Sequence, residues 1–149
     1  MPHQPLFDDS RIHWQTLADF EHLQYSILDI DQDNRIIDVL FKFDAESQIV
    51  LHRHKVLNKT FVIQGEHRLY HANGDLKEIR PTGRYTSSQP SDEPHREGGG
   101  VQDVIVLFSI RGTGTFYQIL DDNQNVIGEL GWQDFVDLYQ AQCRQEAEA

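Results

Sequence analysis

Residues 52–65 read HRHKVLNKTFVIQG and decide the fold of this 149-residue chain. The two histidines, His52 and His54, lie two positions apart in a run with strand character. Side chains at positions i and i+2 of a strand project from the same face. His52 and His54 can therefore meet at one point, as two imidazole ligands of a metal ion must. A metal site then needs a third ligand from elsewhere in the chain, and a cavity beside it.

Short segments typical of strands surround this stretch. Runs of β-branched and aromatic residues, separated by turn signals, occupy residues 25–31, 35–43, 48–54, 60–63, 67–70, 76–81, 84–88, 104–110, 115–120 and 126–127. By contrast, residues 90–100 are polar and contain two prolines and three consecutive glycines, which predicts a long loop. Many short strands at this spacing predict an all-β barrel or sandwich.

The two ends of the chain differ from the strand region. Residues 1–24 read as an N-terminal arm, in which apolar residues at a spacing of three within 12–20 fit either a helical turn or a strand. The barrel is predicted over residues 25–130. Apolar residues recur at helical spacing after that, so residues 131–149 are predicted to form one C-terminal helix.

The length of the chain suits a single domain over residues 1–149. The net charge is −11, from 13 basic and 24 acidic residues, and the basic residues are scattered, which argues against nucleic acid as a partner. No apolar run approaches the ~20 residues of a membrane helix. The first thirty residues show no signal peptide. Cys143 is the only cysteine, which excludes an internal disulfide and favours a reducing, cytoplasmic location.

The spacing around the histidine pair resembles the first sequence motif of the cupins. That motif reads Gly, five residues, His-x-His, three or four residues, Glu, six residues, Gly. In this chain Glu46 stands at the first glycine position, Asn58 stands at the glutamate position, and Gly65 closes the motif. The spacing fits throughout, with two departures in residue identity.

A second cupin motif reads Gly, five residues, Pro-x-Gly-x-x-His, three residues, Asn. Gly83, Pro90 and His95 fit this pattern with one extra residue between the glycine and the proline. Asp92 replaces the central glycine, a tolerable change because aspartate can adopt left-handed turn conformations. Gly99 stands where the asparagine is usual.

The resemblance implies an RmlC-like cupin fold, which is an all-β double-stranded β-helix, or jelly-roll barrel, followed here by one C-terminal α-helix. It also implies that His52, His54 and His95 are the three imidazole ligands of one divalent metal ion. Neutral imidazoles suit several metals; we favour Fe(II), with Zn, Ni, Mn or Cu as alternatives. The remaining histidines are expected at the surface: His67 and His71 beside a turn, and His3, His13 and His22 ahead of the barrel.

The absence of the first motif's glutamate, replaced by Asn58, points to a smaller group within the cupins. The Asn58 amide is neutral and its oxygen is a weak ligand, so a site without a carboxylate is expected to keep open positions for a bidentate substrate. This arrangement resembles the three-histidine cupin dioxygenases that cleave acetylacetone or 2,4'-dihydroxyacetophenone. The resemblance implies a non-haem Fe(II) dioxygenase that cleaves a carbon–carbon bond in a small dicarbonyl or hydroxyketone.

Strand alternation adds a prediction about the cavity. If Asn58 faces the metal, Thr60, Val62 and Gln64 face the same way. Asn58, Thr60 and Gln64 are therefore candidate substrate-pocket residues. For Gln64, which lies beside the turn at Gly65, a side chain that simply reaches solvent is an equal alternative.

Two other functions fit the same sequence. One is a non-catalytic, zinc-binding ligand or sensor module, similar to the cupin part of anti-sigma regulators. The other is a metal-free cupin of the sugar-epimerase type, in which the histidines bind no metal. The partners expected are a small-molecule substrate and, from the habit of jelly-roll proteins of this size, a second copy of the chain in a homodimer. Neither nucleic acid nor a membrane is expected as a partner.

Overall fold

The computed structural model describes residues 6–17 and 20–148, and within them the chain forms eleven strands followed by one helix. In chain order these elements are β1 (Leu23–Asp31), β2 (Ile36–Phe43), β3 (His52–His54), β4 (Leu57–Gln64), β5 (His67–Tyr70), β6 (Leu76–Arg80), β7 (Tyr85–Ser88), β8 (Arg96–Gly98), β9 (Val104–Arg111), β10 (Thr115–Leu120), β11 (Val126–Gly131) and α1 (Trp132–Glu148). The prediction of an all-β fold with one C-terminal helix is confirmed.

The strands form three antiparallel sheets. The largest has the order β1-β2-β9-β4-β7, and the smaller two have the orders β11-β10-β3 and β6-β5-β8. A backbone bridge between His52 and His95 joins β3 to the residue before β8. The two smaller sheets are therefore connected at the point where the predicted metal ligands lie.

Aromatic side chains fill the core. Phe43 and Phe108 are 2% exposed, and the rings of Phe41 and Phe108 meet edge to face with their centroids 4.9 Å apart. Edge-to-face contact is a favoured geometry for aromatic pairs. Burying each such side chain contributes about 1.5–3 kcal/mol to stability, so this cluster stabilises the barrel around the site.

Helix α1 packs against the strands through Phe135 and Gln142, each 3% exposed. Its first turn is stabilised where the backbone N–H of Gly131 donates to the Asp134 carboxylate at 2.7 Å. The Gln142 amide accepts from the N–H of Ile27 at 2.9 Å and donates to its carbonyl at 2.8 Å. The register of β1 shifts just after Ile27. Gln142 therefore satisfies backbone groups at the bulge and holds the helix against the sheet.

The structure differs from the sequence prediction in two strands. The strand predicted over 48–54 is regular only at His52–His54, and the loop predicted over 90–100 contains β8. In the arm, Gln15 forms an isolated bridge with Tyr25, so this part of 12–20 is extended rather than helical. No helix among the described residues is long and apolar enough to span a membrane.

Glycines hold β8 close to its neighbours. A Cβ at Gly98 would lie 1.7 Å from the carbonyl oxygen of Ser47, and one at Gly99 would lie 2.8 Å from the carbonyl oxygen of Gln102. The backbone N–H of Ile49 also donates to the carbonyl of Glu97 at 2.8 Å. The run of glycines after Glu97 is therefore a close-packing device, and it fixes where Glu97 lies.

Candidate metal centre

The structure brings the three predicted histidine ligands together. The Nε2 atom of His54 lies 3.2 Å from that of His52 and 3.1 Å from that of His95. Strand β3 places His52 and His54 on one face, as the i, i+2 spacing predicts. His95 arrives opposite His52 because the two residues exchange both backbone hydrogen bonds, at 3.1 and 3.0 Å.

A fourth donor, Glu97, joins the histidines. Its Oε2 atom lies 2.6 Å from Nε2 of His52 and 3.5 Å from Nε2 of both His54 and His95. The four donor atoms all lie within 4.8 Å of one another. The expectation of a carboxylate-free site is therefore wrong, because a carboxylate reaches the cluster from β8 instead of from the motif position at Asn58.

The sequence analysis missed Glu97 because the polar, glycine-rich composition of 90–100 indicated a loop. A usable signal was present. Glu97 stands two positions after His95, the same i, i+2 spacing that singled out His52 and His54. Applied to the segment that starts at His95, the alternation rule places His95 and Glu97 on one face.

His67 contacts the other oxygen of the Glu97 carboxylate. The expectation that His67 is solvated is wrong: it is fully buried, and its Nε2 lies 2.7 Å from Oε1 of Glu97. Its Nδ1 atom has no hydrogen-bond partner among the described residues. His71 is exposed, as predicted, and so are His13 and His22, whereas His3 lies outside the described residues.

The hydrogen bonding of His52 shows that a cation or proton fits this cluster. Its Nδ1 lies 2.7 Å from the carbonyl of Val50, a partner that can only accept, so Nδ1 carries a hydrogen, and a ring with no second hydrogen has a lone pair on Nε2. That lone pair faces a carboxylate oxygen of Glu97 at 2.6 Å. Two acceptors at this distance need a positive centre between or beside them, and a divalent metal ion supplies one.

The separations of the donor atoms also suit a metal ion. Ligands at ~2.1 Å from a metal stand roughly 3.0 Å apart at right angles and roughly 3.4 Å apart at tetrahedral angles. His54 lies 3.2 Å from His52 and 3.1 Å from His95, and Glu97 lies 3.5 Å from both His54 and His95, whereas the His52–Glu97 pair, at 2.6 Å, is at hydrogen-bond distance and would have to open slightly around an ion. Three imidazoles and one carboxylate form a donor set suited to borderline transition metals.

Burial sets the charges of the cluster. It lowers the pKa of His54 to about 3 and lowers the pKa of His95 as well, so both rings are neutral ligands near neutral pH. Burial alone would raise the pKa of Glu97, but its close contacts with His52, His54, His67 and His95 hold that pKa well below its usual range. An ionised carboxylate beside the neutral rings of His54 and His95 is prepared for a cation and is a poor general base.

Asn58 lies beside the cluster without joining its donors. It is fully buried; its amide oxygen accepts from the Tyr117 hydroxyl at 2.9 Å, and its amide nitrogen donates to the carbonyl of Val56 at 3.0 Å. The Tyr117 ring lies against His54, with centroids 5.0 Å apart. Burial and the charge of Glu97 raise the pKa of Tyr117 well above its usual value, so its hydroxyl stays a donor. Asn58 therefore positions the wall of the site.

A cavity of about 140 Å³ opens beside the cluster. Its wall includes His54, His95 and Glu97 together with two of the predicted pocket residues, Asn58 and Thr60. Thr60 is 3% exposed, and its Oγ1 has no partner among the described residues. A hydroxyl left unpaired at a cavity wall is available to a bound molecule.

The third predicted pocket residue, Gln64, lies outside this cavity. Its amide nitrogen donates to the carbonyl of Asp103 at 3.0 Å, and its amide oxygen accepts from the N–H of Phe7 at 3.1 Å. The register of β4 against β9 shifts between Val62 and Gln64. The alternation rule holds at 58, 60 and 62 and fails after this bulge.

Comparison with known proteins places the fold. No protein-family model and no curated protein matches the sequence. Among solved structures, an RmlC-like cupin protein from Ralstonia eutropha superposes over 96% of this chain and 88% of its own, with a TM-score of 0.73 and 20% identity. An acetylacetone dioxygenase from Acinetobacter johnsonii covers 95% of this chain and 92% of its own, with a TM-score of 0.68 and 15% identity. A putative acetylacetone dioxygenase from Methylibium petroleiphilum covers 93% of this chain and 96% of its own, with a TM-score of 0.66 and 16% identity.

These superpositions confirm that the chain has the RmlC-like cupin fold. At sequence identities of 15–20%, these similarities establish the fold and do not establish an activity.

Proposed function

We propose that this protein is a metal-dependent cupin enzyme, a non-haem Fe(II) dioxygenase that cleaves a carbon–carbon bond in a small dicarbonyl or hydroxyketone. One observation carries the proposal: three imidazole nitrogens and one carboxylate oxygen converge on one point, and three of these four side chains, His54, His95 and Glu97, line a cavity. The superposition on acetylacetone dioxygenases supports the choice of reaction.

His52, His54, His95 and Glu97 would hold the metal, in agreement with the three ligands predicted from sequence and with the carboxylate added by the structure. Bound there, Fe(II) supplies Lewis acidity and one-electron chemistry toward dioxygen. Four protein donors leave roughly two positions of an octahedral ion open. The relocated carboxylate is therefore compatible with a substrate that offers two oxygens.

The chain's own residues prepare the site in three ways. His67 fixes the Glu97 carboxylate from the side away from the three ligand histidines. The Tyr117–Asn58 pair closes one wall, and the unpaired Thr60 hydroxyl offers a hydrogen bond to a substrate oxygen. Leu69 and the buried Phe108 form the apolar part of the cavity wall.

The reaction balances without an added reductant. Both atoms of one dioxygen molecule enter the products when a β-diketone is cleaved to a carboxylic acid and a 2-oxo carbonyl compound. No electron donor and no second cofactor is required of the protein.

Oxygen uptake tests this proposal. Protein loaded with Fe(II) is offered β-diketones and hydroxyketones, and we expect one dioxygen consumed per substrate molecule. His95→Ala should abolish uptake, whereas His71→Ala, which changes an exposed histidine, should leave it intact. No uptake with any of these compounds would contradict the proposal. Zinc retained against excess Fe(II), together with no uptake, would favour the sensor function instead.

A homodimer also remains a proposal. Phe61 and Tyr85 are 42% and 55% exposed and lie opposite each other on β4 and the sheet-edge strand β7. An exposed apolar pair at a sheet edge suits contact with a second copy of the chain. The mass in solution, measured by light scattering, decides between monomer and dimer.

A further inference from the structure

The cavity beside the candidate metal centre is also lined by positively charged residues. Besides the metal-ligand side chains, its wall contains two cationic residues, Lys77 and Arg80, both from β6. Lys77 is partly exposed, and its ammonium group pairs with Glu93 at 3.1 Å, so its charge is balanced at the mouth of the cavity. Arg80 is different because it is 9% exposed.

The position of Arg80 in the sheet directs it inward. The first four residues of β6 are exposed and Arg80 alone is buried. Arg80 lies directly opposite His67 in the pairing of β5 with β6, and opposite residues of an antiparallel pair project from the same face. The strand therefore places a guanidinium group on the same side as the histidine that supports Glu97.

The hydrogen bonding of Arg80 is incomplete. Its Nε donates to the carboxylate of Glu78, and no hydrogen bond to a described residue engages its Nη1 or Nη2. Glu78 is 45% exposed and does not need a buried partner to be ionised. A guanidinium group presents five N–H donors, and its two terminal nitrogens match the two oxygens of a carboxylate. The two terminal nitrogens are not among the buried atoms that lack a partner, so they are open to the cavity that Arg80 lines, where a bound anion can pair with them.

A second group in the cavity also lacks a partner. The hydroxyl of Thr60 is buried, lines the same cavity and has no hydrogen bond within the described residues. Arg80 and Thr60 together supply unused donors in a space that His54, His95 and Glu97 also line. The cavity is thus equipped to bind a molecule that bears an anion as well as a group facing the metal centre.

We propose that the substrate is a small carboxylic acid, whose carboxylate pairs with Nη1 and Nη2 of Arg80 while its dicarbonyl or hydroxyketone end faces the metal centre. This substrate class rests on the proposed function. It selects, among the dicarbonyls that a cupin of this kind can accept, those that carry a negative charge. Arg80 is then a specificity-determining residue that binds the end of the substrate where no bond is broken.

Two β-diketones that differ in one group test this inference. In 2,4-dioxopentanoate a carboxylate replaces one methyl group of pentane-2,4-dione. Dissociation constants of both are measured by calorimetry on the full chain loaded with Fe(II) under nitrogen, so that binding is read without turnover. We expect wild-type protein to bind the carboxylate compound about 10- to 100-fold more tightly, as a charge-assisted pair provides.

The variant Arg80→Gln should remove that preference and leave the dissociation constant of pentane-2,4-dione within about twofold of wild type. Arg80→Lys, which keeps the charge and loses the paired donors, should retain part of the preference. Arg84→Gln removes an exposed positive charge from the turn that follows β6 and should change neither constant. Equal binding of the two compounds by wild type, or an equal loss of both in Arg80→Gln, would overturn the inference.

Failure of the inference and failure of the proposed function give different results. If pentane-2,4-dione binds and is oxidised but the carboxylate compound binds no more tightly, the proposed anion site is excluded and the proposed dioxygenase activity is supported. If 2,4-dioxopentanoate binds in an Arg80-dependent way without any oxygen uptake in air, the anion site is supported and the proposed dioxygenase activity is excluded. If neither compound binds, both are wrong.

Discussion

At the residue scale, Glu97 changes what the histidine cluster means. The first cupin motif carries asparagine where the carboxylate is usual, yet a carboxylate oxygen lies 2.6 Å from His52. The donor set of three imidazoles and a carboxylate is therefore complete, with its acid supplied by a different strand. Asn58, released from that role, is held by Tyr117.

Glu97→Gln tests whether this carboxylate holds the metal. The amide keeps the shape of the side chain but removes its negative charge, and we expect metal affinity to fall by 10-fold or more, since changes even to groups behind the ligands cost about 10- to 100-fold. Metal affinity is measured by competition with a chelator. Glu93→Gln, which removes an exposed carboxylate at the mouth of the same cavity, is the matched control and should bind metal as wild type does. Unchanged affinity in Glu97→Gln would exclude Glu97 as a ligand.

A second carboxylate exchange tests the idea that the ligand has changed position. Asn58 and Glu97 line the same cavity, and the Tyr117 hydroxyl that donates to Asn58 can donate equally to a glutamate there. We therefore expect Asn58→Glu to restore much of the metal affinity lost in Glu97→Gln. If the double variant binds metal no better than Glu97→Gln alone, position 58 cannot replace position 97.

At the element scale, β8 is the part of the fold that sequence patterns predicted least well. The hydrophobic strands β2, β9 and β10 follow from their composition, because runs of β-branched and aromatic residues are buried on at least one face. Strand β8 has only three residues, two of them charged, and it is held by backbone pairing and by close approach at its glycines. Such contacts depend on distant segments, so composition does not reveal them.

Gly98→Ala tests how β8 positions the metal centre. Because a Cβ at Gly98 would lie 1.7 Å from the Ser47 carbonyl oxygen, the strand must move, and Glu97 moves with it. We expect a loss of about 1–3 kcal/mol in the free energy of unfolding, or more, together with weaker metal binding. Urea denaturation and chelator competition measure the two effects.

Gly128→Ala is the control for this change. A Cβ there meets only Ile119 at 3.9 Å, an ordinary contact, so stability and metal affinity should stay near wild type. If Gly98→Ala behaved like Gly128→Ala in both measurements, close packing at Gly98 would not be what positions Glu97.

Strand alternation predicted the direction of side chains correctly only where the pairing of neighbouring strands is regular. It placed His52 with His54, and Asn58 with Thr60, on inward faces, and all four residues are buried. It failed at Gln64 because of the register shift after Val62, which the sequence does not signal. It was not applied to His67, where the neighbouring turn suggested exposure, although β5 buries His67 completely.

At the scale of the whole molecule, the candidate metal centre places ionisable groups inside an apolar barrel. Five ionisable groups, four of them imidazoles, meet next to a core of phenylalanines. The motif spacing was sufficient to predict the jelly roll and its three histidines because cupin motifs encode strand and turn lengths. The cavity and its buried arginine could not be predicted, since Arg80 faces inward only through the pairing of β6 with β5.

Stability of the metal-free protein should depend on pH through this centre. The pKa of His54 is about 3 in the folded chain against an ordinary value of 6.5, so between these values the unfolded state binds more protons. Stability is therefore fully present above pH 6.5 and falls on acidification, by up to about 1.4 kcal/mol per pH unit for one proton. The lowered pKa of Glu97 acts in the same direction at lower pH.

Urea denaturation of metal-free protein at pH 7 and pH 5 measures this dependence. His54→Gln, which removes the titrating ring, should flatten the pH profile, and His13→Gln, which changes an exposed histidine, should not. Equal stability of the wild type at the two pH values, or greater stability at pH 5, would show that burial does not hold the His54 ring neutral.

The metal content of the purified protein, determined by elemental analysis after Fe(II) loading and desalting, tests the account most directly. Convergence of His52, His54, His95 and Glu97 predicts one equivalent of metal per wild-type chain, and a loss of most of it in His95→Ala. A wild-type chain that retains no divalent metal, or a His95→Ala chain that retains as much as the wild type, would contradict it.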